Sequence, residues 1–274
     1  MRKKNNLQNL HTHTLYCDGA DTPEELVRAA IEKGYSAIGF SGHAYMTYSP
    51  YYARRPDLTE DYKAEIRRLK EVYRDQIEIY LGLEVDMFSA PDLTGYDYLI
   101  GAVHYLELDG AYVGFDRSVQ EVAAVIDRYF GGDGMAYAQE YYRTLAKLPE
   151  YGKFDILAHF DIITKHSENR CFFDTESKEY LHAAFEAVEA LAGKIPLFEV
   201  NTGAIARGYR TTPYPSVPII RELGRRGFGA VITSDCHAKA QLDRGFGEAA
   251  ALLRACGFRE TFVLTETGFV PVPL

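Results

Sequence analysis

Cysteine is scarce in this chain, four in 274 residues, and Cys17, Cys171, Cys236 and Cys256 form no CxxC pair. That spacing excludes a disulfide framework and an all-thiolate zinc site, and it fits a reduced, cytoplasmic setting. Cys17 and Cys236 lie among residues suited to metals, but a free cysteine is most often simply small and buried, and both are read that way. Positive charge is also in deficit: 30 Lys and Arg against 39 Asp and Glu give a formal net charge of −9. No global basic field exists for a nucleic-acid backbone. The pairs Arg54-Arg55, Arg67-Arg68 and Arg225-Arg226 are expected as solvated faces or single-anion clamps. No apolar run approaches the ~20 residues that cross a bilayer, and no apolar h-region of a signal peptide follows the basic start. Gly-x-Gly-x-x-Gly and P-loop motifs are missing, which argues against a nucleotide-binding open sheet. Without repeats, low-complexity stretches or linkers, residues 1–274 read as a single domain.

What is present is a series of short apolar runs that end in residues able to bind a metal. Leu10 leads into His11 and His13, and Ala37–Phe40 into His43. Ile79–Leu81 leads into Glu84 and Asp86, and Leu99–Val103 into His104. Phe154–Ala158 leads into His159 and Asp161, and Ala230–Thr233 into Asp235 and His237. Six of the eight histidines stand at these positions; His182, in mid-helix, is read as structural and His166 is undecided. A barrel of parallel strands builds its active site at the C-terminal strand ends. Runs such as Ile156-Leu157-Ala158, without polar alternation, predict strands buried on both faces.

Between the runs the pattern is helical. Thr22-Pro23-Glu24-Glu25 is a helix start with an N-cap, a proline at the first position and acids in the first turn. Further helices are expected from Thr59 to Tyr73, Ser118 to Phe130, onward after Gly134 to about Leu148, Thr175 to Leu191, Ser216 to Arg225, and Ala240 to Ala250. The alternation predicts an α/β fold. Ligands from both ends of the chain must converge, so a barrel is favoured over an open sheet.

Residues two apart on a strand share a face, so His11/His13 and Asp235/His237 can each aim two side chains at one cavity. Mixed imidazole and carboxylate donors suit zinc, manganese, iron or cobalt. His11-Thr12-His13, Asp18-Gly19, Ser41-Gly42-His43, Gly82-Leu83-Glu84-Val85-Asp86, His104, His159 and Ser234-Asp235-Cys236-His237 resemble, in order, the motifs of the PHP (polymerase and histidinol phosphatase) superfamily. Within it, the sequence is similar to the histidinol-phosphate phosphatases of histidine biosynthesis. The segments that carry this are Ile79–Asp86, Phe115-Asp116-Arg117-Ser118, His159-Phe160-Asp161, Glu199–Gly203 and Tyr214-Pro215-Ser216.

The resemblance implies a distorted (β/α)7 TIM-like barrel of PHP type and a centre of three divalent ions (Zn, Mn or Fe). One ion would take His11, His13, Glu84 and Asp235. A second would share Glu84 and add His104 and His159, and a third would take Asp18, His43 and His237. The implied activity is hydrolysis of L-histidinol phosphate, with another small phosphate ester, a nucleotide or sugar phosphate, as the alternative. Glu84, Asp235 and His237 are the expected catalytic residues, with a hydroxide between the two ions sharing Glu84 attacking phosphorus in line. Arg207 and Arg117 are candidate phosphate clamps, because a guanidinium forks onto two oxygens. Asp161 is a candidate for a ligand-orienting group, a partner for a substrate ammonium, or a helix cap. The tyrosine-rich stretch Tyr45–Tyr52 is a candidate cover for the substrate. Partners beyond the small substrate, nucleic acid and membrane included, are not expected, and oligomeric state is left open.

Overall fold

The computed structural model describes residues 6–49 and 58–274. Arg54-Arg55 and the end of the tyrosine-rich stretch lie outside the described residues. In chain order the strands are β1 (Gln8–Asn9), β2 (Ala37–Phe40), β3 (Glu78–Asp86), β4 (Tyr98–Ala102), β5 (Tyr105–Leu108), β6 (Ala111–Gly114), β7 (Ile156–Leu157), β8 (Leu197–Asn201), β9 (Gly229–Thr233), β10 (Glu260–Thr265) and β11 (Gly268–Pro273). The helices are α1 (Pro23–Glu32), α2 (Thr59–Tyr73), α3 (Val119–Phe130), α4 (Gly134–Leu145), α5 (Lys178–Leu191), α6 (Gly203–Ala206), α7 (Val217–Arg225) and α8 (Phe246–Ala255). Seven strands pair in the order β1-β2-β3-β4-β7-β8-β9, every pairing parallel.

The sheet curls into a nearly closed, distorted TIM-like barrel. Its seam falls between β1 and β9, where Thr12 and Cys236 make an isolated parallel bridge and His13 N–H donates to the Cys236 carbonyl at 2.9 Å. A side chain does the rest. Asn9 Nδ2 donates to Ser234 Oγ at 2.6 Å and to the Leu242 carbonyl at 3.1 Å, and Asn9 Oδ1 accepts from Ser234 N–H at 3.2 Å. This seam carries His11 and His13 to the flank of Asp235 and His237.

Inside the barrel, the ring of Tyr98 on β4 crosses the interior, and its hydroxyl donates to the Leu10 carbonyl. A Cβ at Gly82 would lie 2.3 Å from Tyr98 Cζ, so glycine there is what lets a ring occupy the axis. Above Tyr98, the interior turns polar along β3 at Glu84. Helices cover the outside. In α1 the capping box is complete: Glu25 N–H donates to Thr22 Oγ1 at 3.3 Å, and Thr22 N–H donates back to Glu25 Oε2 at 3.0 Å.

The structure differs from the sequence expectations at the last helix and at two hairpins. The last helix runs over Phe246–Ala255 because Gly245 at φ 81° interrupts the stretch expected to start at Ala240. Two antiparallel hairpins, β5–β6 and β10–β11, were not expected. The second packs Leu264 into the barrel interior with Leu10, Tyr98 and Val231, and Gln8 ties to the Leu264 backbone through both its amide groups at 2.9 Å. No helix among the described residues is long and apolar enough to cross a membrane.

Candidate metal centre

The nine candidate ligands converge at the C-terminal end of the strands. His11 Nε2 lies 3.4 Å from Glu84 Oε2 and 3.6 Å from Asp235 Oδ1, and His13 Nε2 lies 3.6 Å and 3.1 Å from the same two atoms. On one side of this group His159 Nε2 is 3.1 Å and His104 Nε2 3.5 Å from Glu84 Oε1. On the other, Asp18 Oδ2 is 3.2 Å from His237 Nε2 and 3.7 Å from His43 Nε2.

Among the described residues, three sets have donor atoms all within 4.8 Å of one another: His13/Asp18/His43/His237, His11/His13/Glu84 and His43/Glu84/His104. These overlap the expected allocation without matching it. His13 adjoins Asp18 as well as Glu84, with Nδ1 3.2 Å from Asp18 Oδ1. His43 reaches Glu84 through Nδ1 at 2.8 Å. Asp235 and His159 sit beside these sets rather than within them.

The donor set suits cations. Among the described residues, His11 Nε2, His13 Nε2, Asp18 Oδ1 and Glu84 Oε2 are buried and have no hydrogen-bond partner, a costly arrangement unless a ligand satisfies them. Burial alone would lower the His11 pKa, but Glu199, Glu84 and Asp235 raise it well above the usual imidazole value. Burial likewise opposes ionisation of Asp235, yet Arg207 and the surrounding imidazoles hold its carboxyl well below its ordinary range. Protons on imidazoles thus stand where positive charge is wanted. Asp235 also adopts φ 45°, a left-handed conformation uncommon outside glycine and concentrated at functional sites.

A second layer fixes the rings. Glu199 on β8, fully buried, places Oε2 at 2.9 Å from His11 Nδ1 and accepts from the Thr233 hydroxyl at 2.8 Å. Its Oε1 accepts from His159 N–H and from Asn201 Nδ2, each at 2.7 Å. An ionised carboxylate only accepts, so Nδ1 of His11 keeps its hydrogen and Nε2 is the nitrogen that would give up its proton to a cation. Sequence reasoning quoted Glu199 within a segment and gave it no role. Its mid-strand place in the otherwise apolar Leu197-Phe198-Glu199-Val200 was the available signal.

A cavity of ≈ 240 Å³ opens over the cluster, walled in part by Arg117, Lys165, Arg207, Asp116, Tyr209 and Tyr214. Arg207 Nη1 donates to the Asp235 carbonyl at 2.7 Å and Nη2 to Asp235 Oδ2 at 3.1 Å. Gly203 makes room for this guanidinium, since a Cβ there would meet Nη2 at 2.8 Å. Arg117 lies on the wall and pairs with Glu121 at 3.4 Å. Lys165, not singled out from sequence, pairs with Asp116 Oδ2 at 3.1 Å.

Asp161 is placed differently from expectation. It is fully buried and absent from the cavity wall among the described residues. Its Oδ2 accepts from Ser216 N–H at 3.0 Å, at the start of α7, while the short turn that follows it receives no cap from its side chain. His182 is exposed and pairs with Glu186 at 3.3 Å on α5. His166 is buried beside the Asp116 carbonyl, 3.1 Å from Nε2. Cys17 Sγ lies 3.5 Å from His13 Nδ1, and Cys236 is buried in the seam.

The sequence profile of the PHP domain matches residues 9–203. The chain belongs to the PHP domain family. Asp235, His237 and Arg207 lie beyond the matched stretch and join the PHP centre through the barrel seam and α6. The chain is 28% identical to the protein named "Probable histidinol-phosphatase" of Deinococcus radiodurans, over 91% of this chain and 93% of that one. It is 25% identical to the histidinol-phosphatase of Bacillus subtilis, over 89% and 97%. Its fold is similar to that of the Lactococcus lactis histidinol phosphate phosphatase complexed with zinc, L-histidinol and phosphate. The TM-score is 0.71 at 18% identity, covering 97% of this chain and 99% of that one.

Proposed function

We propose that this PHP domain is a metal-dependent phosphomonoesterase that converts L-histidinol phosphate to L-histidinol and inorganic phosphate. The observation that carries the reading is the buried ring of imidazoles and carboxylates under a cavity with Arg117, Lys165 and Arg207 on its wall. The substrate is taken from relatives called histidinol-phosphatases, which align over 93% and 97% of their own lengths.

Three divalent ions suit nitrogen and oxygen donors of this kind, with zinc, manganese and iron all compatible. His11, His13, Glu84 and Asp235 would hold one, Glu84, His104 and His159 a second, and Asp18, His43 and His237 a third. When bound, such ions acidify water to a nucleophile near neutral pH and draw charge from phosphoryl oxygens. The chain's own residues do the positioning. Arg207, braced on Asp235, keeps a fixed fork of N–H groups beside the cluster and orients the phosphoryl oxygens. Arg117 and Lys165 add positive charge at the wall. Burial of the floor strengthens each of these interactions by excluding water.

The test is a phosphate-ester panel that includes L-histidinol phosphate, nucleotides and sugar phosphates. Phosphate release from L-histidinol phosphate should dominate, vanish with a chelator and return with added divalent ions. Equal turnover across the panel would remove histidinol phosphate from the proposal, and activity indifferent to chelation would remove the metal centre.

A further inference from the structure

Glu84 and Asp86 stand two residues apart on β3 and so point to one side of the strand. Between them sits the ring of His104. Its Nε2 lies 3.5 Å from Glu84 Oε1, and its Nδ1 lies 3.4 Å from Asp86 Oδ2. The same Asp86 oxygen accepts from the His104 backbone N–H at 2.8 Å. One strand therefore supplies a carboxylate to each edge of the imidazole.

The other oxygen of Asp86 leads away from the centre. Oδ1 accepts from the Tyr48 hydroxyl at 2.6 Å and from Phe88 N–H at 3.2 Å. Tyr48 is held by neighbouring rings, Tyr105 at 4.9 Å edge-on and Tyr112 at 4.6 Å. The segment that carries Tyr48 starts at His43, and Ala44 N–H donates to the Glu84 carbonyl at 2.7 Å. It is thus stitched to β3 twice, at Glu84 and again at Asp86.

We propose that Tyr48 is a positioning residue for the metal centre, acting through Asp86 on His104. The phenol fixes the rotamer of a buried carboxylate. That carboxylate accepts and never donates when ionised, so it keeps a hydrogen on His104 Nδ1 and leaves Nε2, facing Glu84, as the nitrogen that exchanges its proton for a cation. The aromatic cluster of Tyr48, Tyr105 and Tyr112 thereby sets how well one metal position is formed, although none of its members offers a ligand atom. The inference rests on the metal-centre reading above and is independent of the substrate's identity.

The test needs no substrate. The full chain, its Tyr48→Phe variant and its Asp86→Asn variant are stripped with chelator and titrated with zinc against a chromophoric competitor, and bound zinc is counted by elemental analysis. Tyr48→Phe should weaken one of the bound ions about tenfold to a hundredfold, the usual effect of losing such a supporting group, and leave the remaining ions unchanged. Asp86→Asn should weaken the same ion at least as much, because an amide has one oxygen where Asp86 uses two, so either His104 or the pair Tyr48 and Phe88 N–H loses its acceptor. Thermal melting of the stripped proteins verifies that each variant folds, and Asp86→Asn serves if Tyr48→Phe does not. Folded variants that bind every ion within twofold of the parent overturn the proposal while leaving the metal centre intact. A parent that binds no zinc overturns both.

Discussion

Replacing Glu199 by glutamine changes one atom and should disturb the centre more than deletion of many larger groups. The carboxylate receives four donors, His11 Nδ1 and the Thr233 hydroxyl on one oxygen, His159 N–H and Asn201 Nδ2 on the other. A glutamine accepts on one oxygen only. If its NH2 turns to His159, it meets a backbone N–H that has nowhere else to point, and a buried donor left unsatisfied costs about 1–3 kcal/mol. If it turns to His11, Thr233 rotates to accept, but His11 is offered a donor at Nδ1 and shifts its hydrogen to Nε2. The nitrogen aimed at Glu84 and Asp235 is then blocked. The expected loss of metal affinity is about tenfold to a hundredfold, or about 1.4–2.8 kcal/mol. The assay is competitive metal titration of Glu199→Gln beside melting of the stripped protein. Thr233→Val is the control, since it removes one donor to the same carboxylate and should cost about 1 kcal/mol of stability without changing metal affinity. Unaltered metal binding by a folded Glu199→Gln variant would refute the assignment of Glu199 as the group that sets the His11 tautomer.

Burial opposes the charge on His104, but Glu84 and Asp86 overcome it and push its pKa up to about 9; His11 is raised in the same direction. The contribution of His104 to the stability of the stripped protein is full below pH 6.5, the unperturbed value, and fades as pH rises through about 9. Metal binding at pH 7 should therefore release protons into a weakly buffered calorimeter, and affinity should climb up to about pH 9; pH-independent binding would contradict this. Arg207→Met should lower kcat/KM for the phosphate ester about 10- to 100-fold, the worth of a charge-assisted hydrogen bond, and Arg207→Lys should recover only part, as measured by phosphate release. Gly82→Ala would drive a Cβ to 2.3 Å from Tyr98 Cζ and should destabilise by about 1–3 kcal/mol or more, read as a lower unfolding midpoint in urea.

The convergence of the nine candidate ligands was legible because they are polar residues at the ends of apolar runs, a pattern that core packing does not generate. The strands were legible for the complementary reason: residues such as Ile156 and Val231 are buried without alternation. What escaped notice depends on contacts far apart in the chain. Glu199 looks like an interruption of a strand until Thr233 and His11 close around it. Lys165 follows an apolar turn, and its pairing with Asp116 at the cavity exists only once the chain has folded. Asp161 follows His159 at the spacing of a shared strand face, but β7 ends at Leu157, so the alternation behind that expectation no longer holds there. The hairpin β10–β11 is invisible as a barrel component because only Leu264 and its neighbours reach inside.

The weakest part of the sheet and the richest part of the site coincide. β1 contributes only two residues to the ladder, and at the seam the regular β1–β9 pairing gives way to an isolated bridge, the backbone bonds around it and the Asn9 side chain. Residues two apart on an extended segment share a face, so regular alternation already serves His11 and His13. Here the chain leaves the ladder after Asn9. His11 and His13 then turn inward, with ring centroids 5.2 Å apart, and His13 stacks on His237 at 4.0 Å. The left-handed backbone at Asp235 allows the facing segment to answer with Asp235 and His237. Two neighbouring strand ends at the seam thus bring four donors, His11, His13, Asp235 and His237, together. A cation held by His11 and His13 from one side and Asp235 from the other would span the seam that Asn9, Ser234 and the Thr12–Cys236 bridge close.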